Sequence, residues 1–224
     1  MKMAVDRTLV ADSSAIISLA INCMSSVLEE LGVKILVTDE IYNEIILRPM
    51  GSKRYALESM RIKKLFSCGV ISVMNPEPLI TQEILNTANS IYCIKRHPLR
   101  LIHEGEAAAL ALLAGLEASC LLIDERTTRM LIEDADGLRK VLSNQLGRRV
   151  DMDRQRLEAF RSIVPGVSII RSSEIAAVAY EKGILGRNLG NSGKEALMAM
   201  LYALKFSGCA ISWNELEEYA ALEK

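Results

Sequence analysis

The chain has 224 residues, half of them hydrophobic, with 27 basic and 28 acidic side chains and a formal net charge of −1. That length fills one core with room for an insertion or a small appendage. Near-neutrality excludes a global field that attracts nucleic acid, so any such binding needs a local patch.

Strand and helix signals alternate from the start. TLVA (8–11) reads as a short strand ending at Asp12, and SAIISLAINC follows as a helix after a Ser13/Ser14 turn. SSVLEEL is a second helix stopped by Gly32; KILVT (34–38) is the next strand, with Thr38 placed to cap the helix DEIYNEIIL. Arg48, Pro49, Met50 and Gly51 are expected to end that helix. YALESMRIKKLFSCG reads as a helix, VISVM (70–74) as a strand, and residues 80–96 as one further helix. A loop at His97-Pro98 precedes HEGEAAALALLAG, a helix, and CLLID (120–124), an apolar strand of the kind found in a parallel sheet covered on both faces. From Arg139 to Arg156 six basic residues face two acidic ones, which suggests a basic helical insertion over residues 139–165. VSIIR (167–171) returns to strand and SSEIAAVAYEKG to helix. Residues 186–194 read as a glycine-rich loop, and residues 195–224 as a C-terminal helical extension. The expected architecture is a single α/β domain over residues 1–224, three-layer α/β/α around a parallel sheet.

Several familiar chemistries are excluded. GRNLGNSGK lacks the spacing of a phosphate-binding loop: Asn188 stands where the first glycine belongs and Glu195 where Ser or Thr is needed. The five cysteines, at 23, 68, 93, 120 and 209, are odd in number and include no CxxC pair, which argues for reduced thiols rather than a disulfide framework or zinc site. His97 and His103 have no partner cysteines and read as surface residues, and no GxSxG elbow is present. The N-terminal segment lacks the apolar run of a signal peptide. The longest apolar stretch, residues 107–116, is about half of a membrane span, so a cytoplasmic chain without membrane contact is expected.

The carboxylates carry the chemistry. Asp12 and Asp124 end strands and Glu106 opens a helix, so right-handed βα units place all three on one edge of the sheet, where open α/β folds bind ligands. Glu106, Ala109, Leu110 and Leu113 share a helix face, which turns Glu106 towards the sheet. Glu44, three residues after Ile41, leans towards the same edge. Four converging carboxylates repel one another unless a hard divalent cation, Mg²⁺ or Mn²⁺ rather than zinc, joins them. The bland alternative, caps and turn formers, stays open for each acid alone.

The motifs VADSSAII, VTDEIYNEI, HEGEAAALALL and LLIDERTTR, in that order, resemble those of the PIN-domain family of metal-dependent nucleases. The resemblance implies a Mg²⁺- or Mn²⁺-dependent ribonuclease with Asp12, Glu44, Glu106 and Asp124 as catalytic and metal-binding residues. In that family the cations acidify an attacking water and offset charge on the leaving oxygen. Ser13 or Ser14 would hold a water near the acids or cap the following helix. Arg126 and Arg129, at the start of the helix after Asp124, would meet a phosphate, and Arg148 and Arg149 of the basic segment would meet the RNA backbone or form a solvated face. The chain is longer than the toxin members of toxin–antitoxin pairs, so an antitoxin partner is not implied; self-association is left open. Two other readings remain, a non-cleaving nucleic-acid-binding module and a small-molecule metal phosphohydrolase. Aromatics make up only 4% of the chain and no stacking platform is visible in the sequence, which counts against pure RNA binding.

Overall fold

A computed structural model describes residues 8–116, 120–164, 166–190 and 193–221. The elements run β1 (Thr8–Ala11), α1 (Ser13–Ile21), α2 (Ser25–Leu31), β2 (Lys34–Val37) and α3 (Asp39–Tyr42), then a π-helical turn (Asn43–Leu47) leading into α4 (Arg48–Met50). They continue with α5 (Ala56–Ser67), β3 (Ile71–Val73), α6 (Pro78–Ala88), β4 (Tyr92–Ile94), β5 (His97–Pro98), α7 (Glu104–Gly115) and β6 (Cys120–Leu122). The last elements are α8 (Arg126–Glu133), α9 (Ala135–Leu146), β7 (Asp151–Met152), α10 (Arg154–Ile163), β8 (Ser168–Ile170), α11 (Ser172–Glu181), α12 (Ile184–Leu189), α13 (Lys194–Phe206) and α14 (Trp213–Ala221).

Five strands form a parallel sheet in the order β3-β2-β1-β6-β8, with helices on its faces: the three-layer α/β fold that the alternating pattern predicts. The chain builds outward from β1 through β2 and β3, then crosses over to β6 and β8 on the other side. The strand order therefore reverses between β1 and β6, and the carboxyl ends of those two strands are where open α/β sheets place their ligand crevice. The strands there are buried on both faces, with Val10, Ala11, Leu121, Leu122 and Ile123 at most 1% exposed. Helix α7 packs on β1 and β6 through an almost unbroken buried run, Ala107 to Leu113, whose small side chains let the helix lie close to the sheet.

Two stretches depart from the pattern read in the sequence. The helix before them ends as expected, at Met50 with Gly51 as its C-cap. Pro49 lies in its last turn. It removes one backbone donor, but the freed Ile45 carbonyl accepts from the Ser59 hydroxyl at 3.0 Å, and the chain passes through the π turn into α4. Residues 80–96 are not one helix: α6 ends at Ala88, and β4 and β5 form an antiparallel hairpin turning at Lys95 and Arg96, both with positive φ. The Asn89 side chain ties this turn to the approach to α7, accepting from Leu101 N at 2.6 Å and Ile102 N at 3.0 Å and donating to Ile102 O. The glycine-rich stretch contains helix α12, pinned by Arg187 and Asn188 to Glu30 of α2; residues 191–192 lie outside the described residues.

The basic segment is built into the fold rather than appended to it. β7 pairs with β4, and α10 lays the buried Leu157 and Phe160 against α6. Much of its charge is spent locally, with Arg154 on Asp136 at 2.8 Å, Arg149 on Asp151 at 2.9 Å and Arg161 on Glu158 at 3.6 Å. Arg148 is exposed, as is Arg149, and these surface pairs contribute little stability. All five cysteines are free, and His97 and His103 are exposed. No single described helix is long and apolar enough to cross a membrane.

Candidate active site

Asp12 directly follows β1 and is the N-cap of α1, a role that a short acceptor side chain after an extended residue fills well. Its Oδ2 accepts from Ser14 N at 3.0 Å and from the Ser14 hydroxyl at 2.6 Å. The Ser14 oxygen in turn accepts from Asp124 N at 3.2 Å, and Asp12 N donates to Leu122 O at 2.9 Å. Ser14 is thus more than a helix cap: it joins the ends of β1 and β6 at the crevice. Asp12 is only 4% exposed, and burial raises its pKa above the usual carboxylate range, opposed by the Ser14 and Ser13 donors and assisted by the negative charge of Glu44.

Glu44 sits in the π turn, a local unwinding often found at functional sites. Its carboxylate reaches the first turn of α7, lying against Gly105 so that a Cβ there would stand 3.5 Å from Oε1. That is an ordinary contact distance, and the positive end of the α7 dipole favours the carboxylate there. Glu106, in the same turn, bends back to accept from His103 N through Oε2 at 2.5 Å, while Oε1 accepts from the Thr128 hydroxyl at 3.3 Å. It is half-buried and turned to the crevice side, not to open solvent. Burial pushes its pKa up to about 7; the His103 N–H and the Thr128 hydroxyl work against this, while the charges of Asp12 and Glu125 add to it.

Asp124, 1% exposed, is turned another way. Its Oδ1 accepts from Ser172 N at 2.8 Å and its Oδ2 from the Ser172 hydroxyl at 2.6 Å, which fastens β6 to the start of α11. Glu125, beside it, caps α8 by accepting from Thr127 N at 2.8 Å and Thr128 N at 2.7 Å. Two backbone donors at the α8 start are thus taken up by the protein's own carboxylate. Of the two arginines expected here to meet a phosphate, Arg126 is exposed, whereas Arg129 contacts Glu133 at 3.4 Å and Ala210 O at 3.5 Å.

Asp12, Glu44, Glu106 and Glu125 thus act on one another through their charges, and none of them pairs with a Lys, Arg or His among the described residues. In chemistry the set fits a hard divalent cation: oxygen donors only, high negative charge, partial burial. In arrangement it is not closed. Among the described residues no three His, Cys, Asp or Glu side chains converge, as they stand, to hold a metal ion. The bonds of Asp124 to Ser172 and of Glu106 to His103 and Thr128 hold these two carboxylates in other roles.

A family model described as DUF3368: PIN domain matches residues 8–138. The chain belongs to the PIN-domain family. The match spans β1 through the first turn of α9 and includes all the acids just described. No curated protein and no solved structure matches the chain. The PIN fold is nuclease-like, and PIN domains are in general nucleases that use divalent metals.

Glu125, Thr128 and Ser172 are less prominent in the sequence than their positions warrant. A Glu followed at two and three residues by threonines at a helix start is a legible cap; the Ser172 contact is not, because it spans 48 residues. Ser172→Ala tests it. Removing the hydroxyl leaves one oxygen of a buried carboxylate without its donor and is expected to lower stability by about 1–3 kcal/mol in chemical denaturation. A change under ~0.5 kcal/mol, within the range of ordinary surface substitutions, would show that Asp124 does not depend on this contact.

Proposed function

We propose that this PIN domain is a Mg²⁺- or Mn²⁺-dependent phosphodiester hydrolase acting on RNA. The observation that carries the reading is the group of uncompensated carboxylates, Asp12, Glu44 and Glu106, at the point where the strand order reverses between β1 and β6. Asp12, Glu44 and Glu106 would hold the cation, with Asp124 or Glu125 joining from the end of β6. A bound cation supplies an acidified water and a counter-charge for the leaving oxygen. The chain's own part is positional. Ser14 fixes the Asp12 carboxylate against the β6 end, and Glu44 lies against Gly105 in the first turn of α7. Glu106 is held at this edge by His103 N and the Thr128 hydroxyl.

One observation favours a second reading, a nucleic-acid-binding module that does not cleave: both Asp124 oxygens are engaged by Ser172. The two separate in an assay on single-stranded RNA, duplex RNA and a generic phosphomonoester, each with Mn²⁺, Mg²⁺ and EDTA. Cation-dependent loss of intact RNA with the phosphomonoester untouched is expected. Hydrolysis of the phosphomonoester alone would move the reading to a small-molecule phosphohydrolase, and binding without turnover to the non-cleaving module.

A further inference from the structure

Three of the ten aromatic residues cluster at the surface. Tyr202 and Phe206, four apart on α13, share a face, and the reversal at Gly208 (φ 113°) brings Trp213, the first residue of α14, against both. The ring centroids of Tyr202 and Phe206 lie 6.2 and 6.4 Å from that of Trp213. All three rings face outward, Phe206 77%, Trp213 56% and Tyr202 41% exposed. Lys205 places its ammonium 4.5 Å from the Trp213 ring centre and donates to Ile211 O. It also lines a cleft of about 500 Å³ whose opposite wall is Arg126, Arg129 and Met130 of α8. None of the acids of the candidate site lines this cleft, but its wall is tied to them: Arg126 follows Glu125 in the chain, and Ala210 N donates to Asp124 O at 3.2 Å. Of the carboxylates of the cleft, Glu133 pairs with Arg129, Glu215 with Arg171 at 2.7 Å, and Asp134 accepts from Gly137 N; Arg126 is exposed.

We propose that the rings of Tyr202, Phe206 and Trp213 and the adjoining cleft form a platform for single-stranded polynucleotide, feeding the strand past Arg126 to the acidic edge. The proposal rests on the nuclease reading and names its substrate form. Flat exposed rings stack on any unpaired base, a cation among them assists, and bases already paired in a duplex are not available to them. The three rings lie outside the family match of residues 8–138, while Arg126, Arg129 and Met130 of the cleft lie inside it.

Trp213 is the single tryptophan of the chain and reports on its own occupancy. Its emission is followed while oligo(U), oligo(dT) or duplex RNA is added to the full chain in EDTA, with end-labelled oligo(U) anisotropy read in parallel. Saturable quenching by oligo(U) and not by duplex is expected, with a shallow salt dependence, because few phosphates are contacted. Quenching by oligo(dT) as well would support the platform and show that it reads bases rather than the 2′-hydroxyl. Phe206→Ala, at an exposed position that leaves folding intact, is expected to weaken binding about tenfold. Anisotropy showing oligo(U) bound with unchanged emission and no effect of Phe206→Ala would overturn the platform and leave the nuclease reading in place. Emission that changes with protein concentration alone, together with sedimentation as a dimer, would overturn it in favour of a contact between copies. Oligo(U) neither bound nor cleaved would overturn both.

Discussion

Asp12→Asn is expected to remove cation-dependent cleavage while leaving the fold intact. Asparagine is as good an N-cap as aspartate, so α1 keeps its start and Ser14 N keeps an acceptor. What is lost is one negative charge among acids that have no basic partner. Loss of a partner outside the direct ligand set typically costs a metal site roughly 10–100-fold, so loss of a direct ligand is expected to cost at least about a hundredfold in turnover. Without metal, stability is expected to hold or rise, since the substitution removes a carboxylate whose ionisation burial already disfavours. Asp12→Ala separates the two roles: it loses the same activity and also about 1 kcal/mol of helix capping. Activity of Asp12→Asn within a few-fold of the unsubstituted chain would reduce Asp12 to a cap.

Glu106→Gln is expected to lower activity by about tenfold or more and to change how stability depends on pH. The folded carboxyl, at about 7, lies above its ordinary value of 4.5. Across that window the unfolded chain has released a proton that the folded chain keeps, so this group lowers stability as pH rises from about 4.5 to 7 and adds nothing further above it. Partial exposure limits the effect to the order of 1–3 kcal/mol. Glu106→Gln removes the decline, and the metal-free variant is expected to melt higher than the unsubstituted chain at pH 8 but not at pH 4. Mn²⁺ is expected to restore stability to the unsubstituted chain at pH 8, and less to the variant. Melting curves of both proteins at the two pH values, each with EDTA and with Mn²⁺, check the sign. Equal pH slopes would show that Glu106 titrates as an ordinary surface acid.

The parts of the fold legible in the sequence are those fixed by local pattern. TLVA followed by Asp-Ser-Ser gives a strand and a capped helix, Gly32 takes the left-handed conformation that stops α2 (φ 64°), and Thr38 caps α3. The edge shared by Asp12, Glu106 and Asp124 follows from topology, because each acid sits where a strand ends or a helix begins. What stays hidden depends on partners far along the chain. β4 reads as the tail of a helix because its pairing with Asp151–Met152 and the Tyr92 hydroxyl bond to Ala135 O lie 43 residues or more away. The stop at Arg48–Gly51 is legible, but the Ser59 hydroxyl that satisfies the carbonyl freed by Pro49 is not, because it belongs to the next helix. The edge position of Asp124 is legible, but its direction is set by Ser172. The aromatic platform requires the α13–α14 reversal before Trp213 can meet Tyr202 and Phe206.

The central claim is that the acids at the β1/β6 crevice form a cation site, and Mn²⁺ titration followed by electron paramagnetic resonance tests it without reference to any substrate. Free Mn²⁺ gives a sharp signal that is lost on binding. The unsubstituted chain is expected to take up Mn²⁺ to a defined stoichiometry, and Asp12→Asn to bind at least about tenfold more weakly. Identical titrations for the two proteins, or no uptake by either, would contradict the claim.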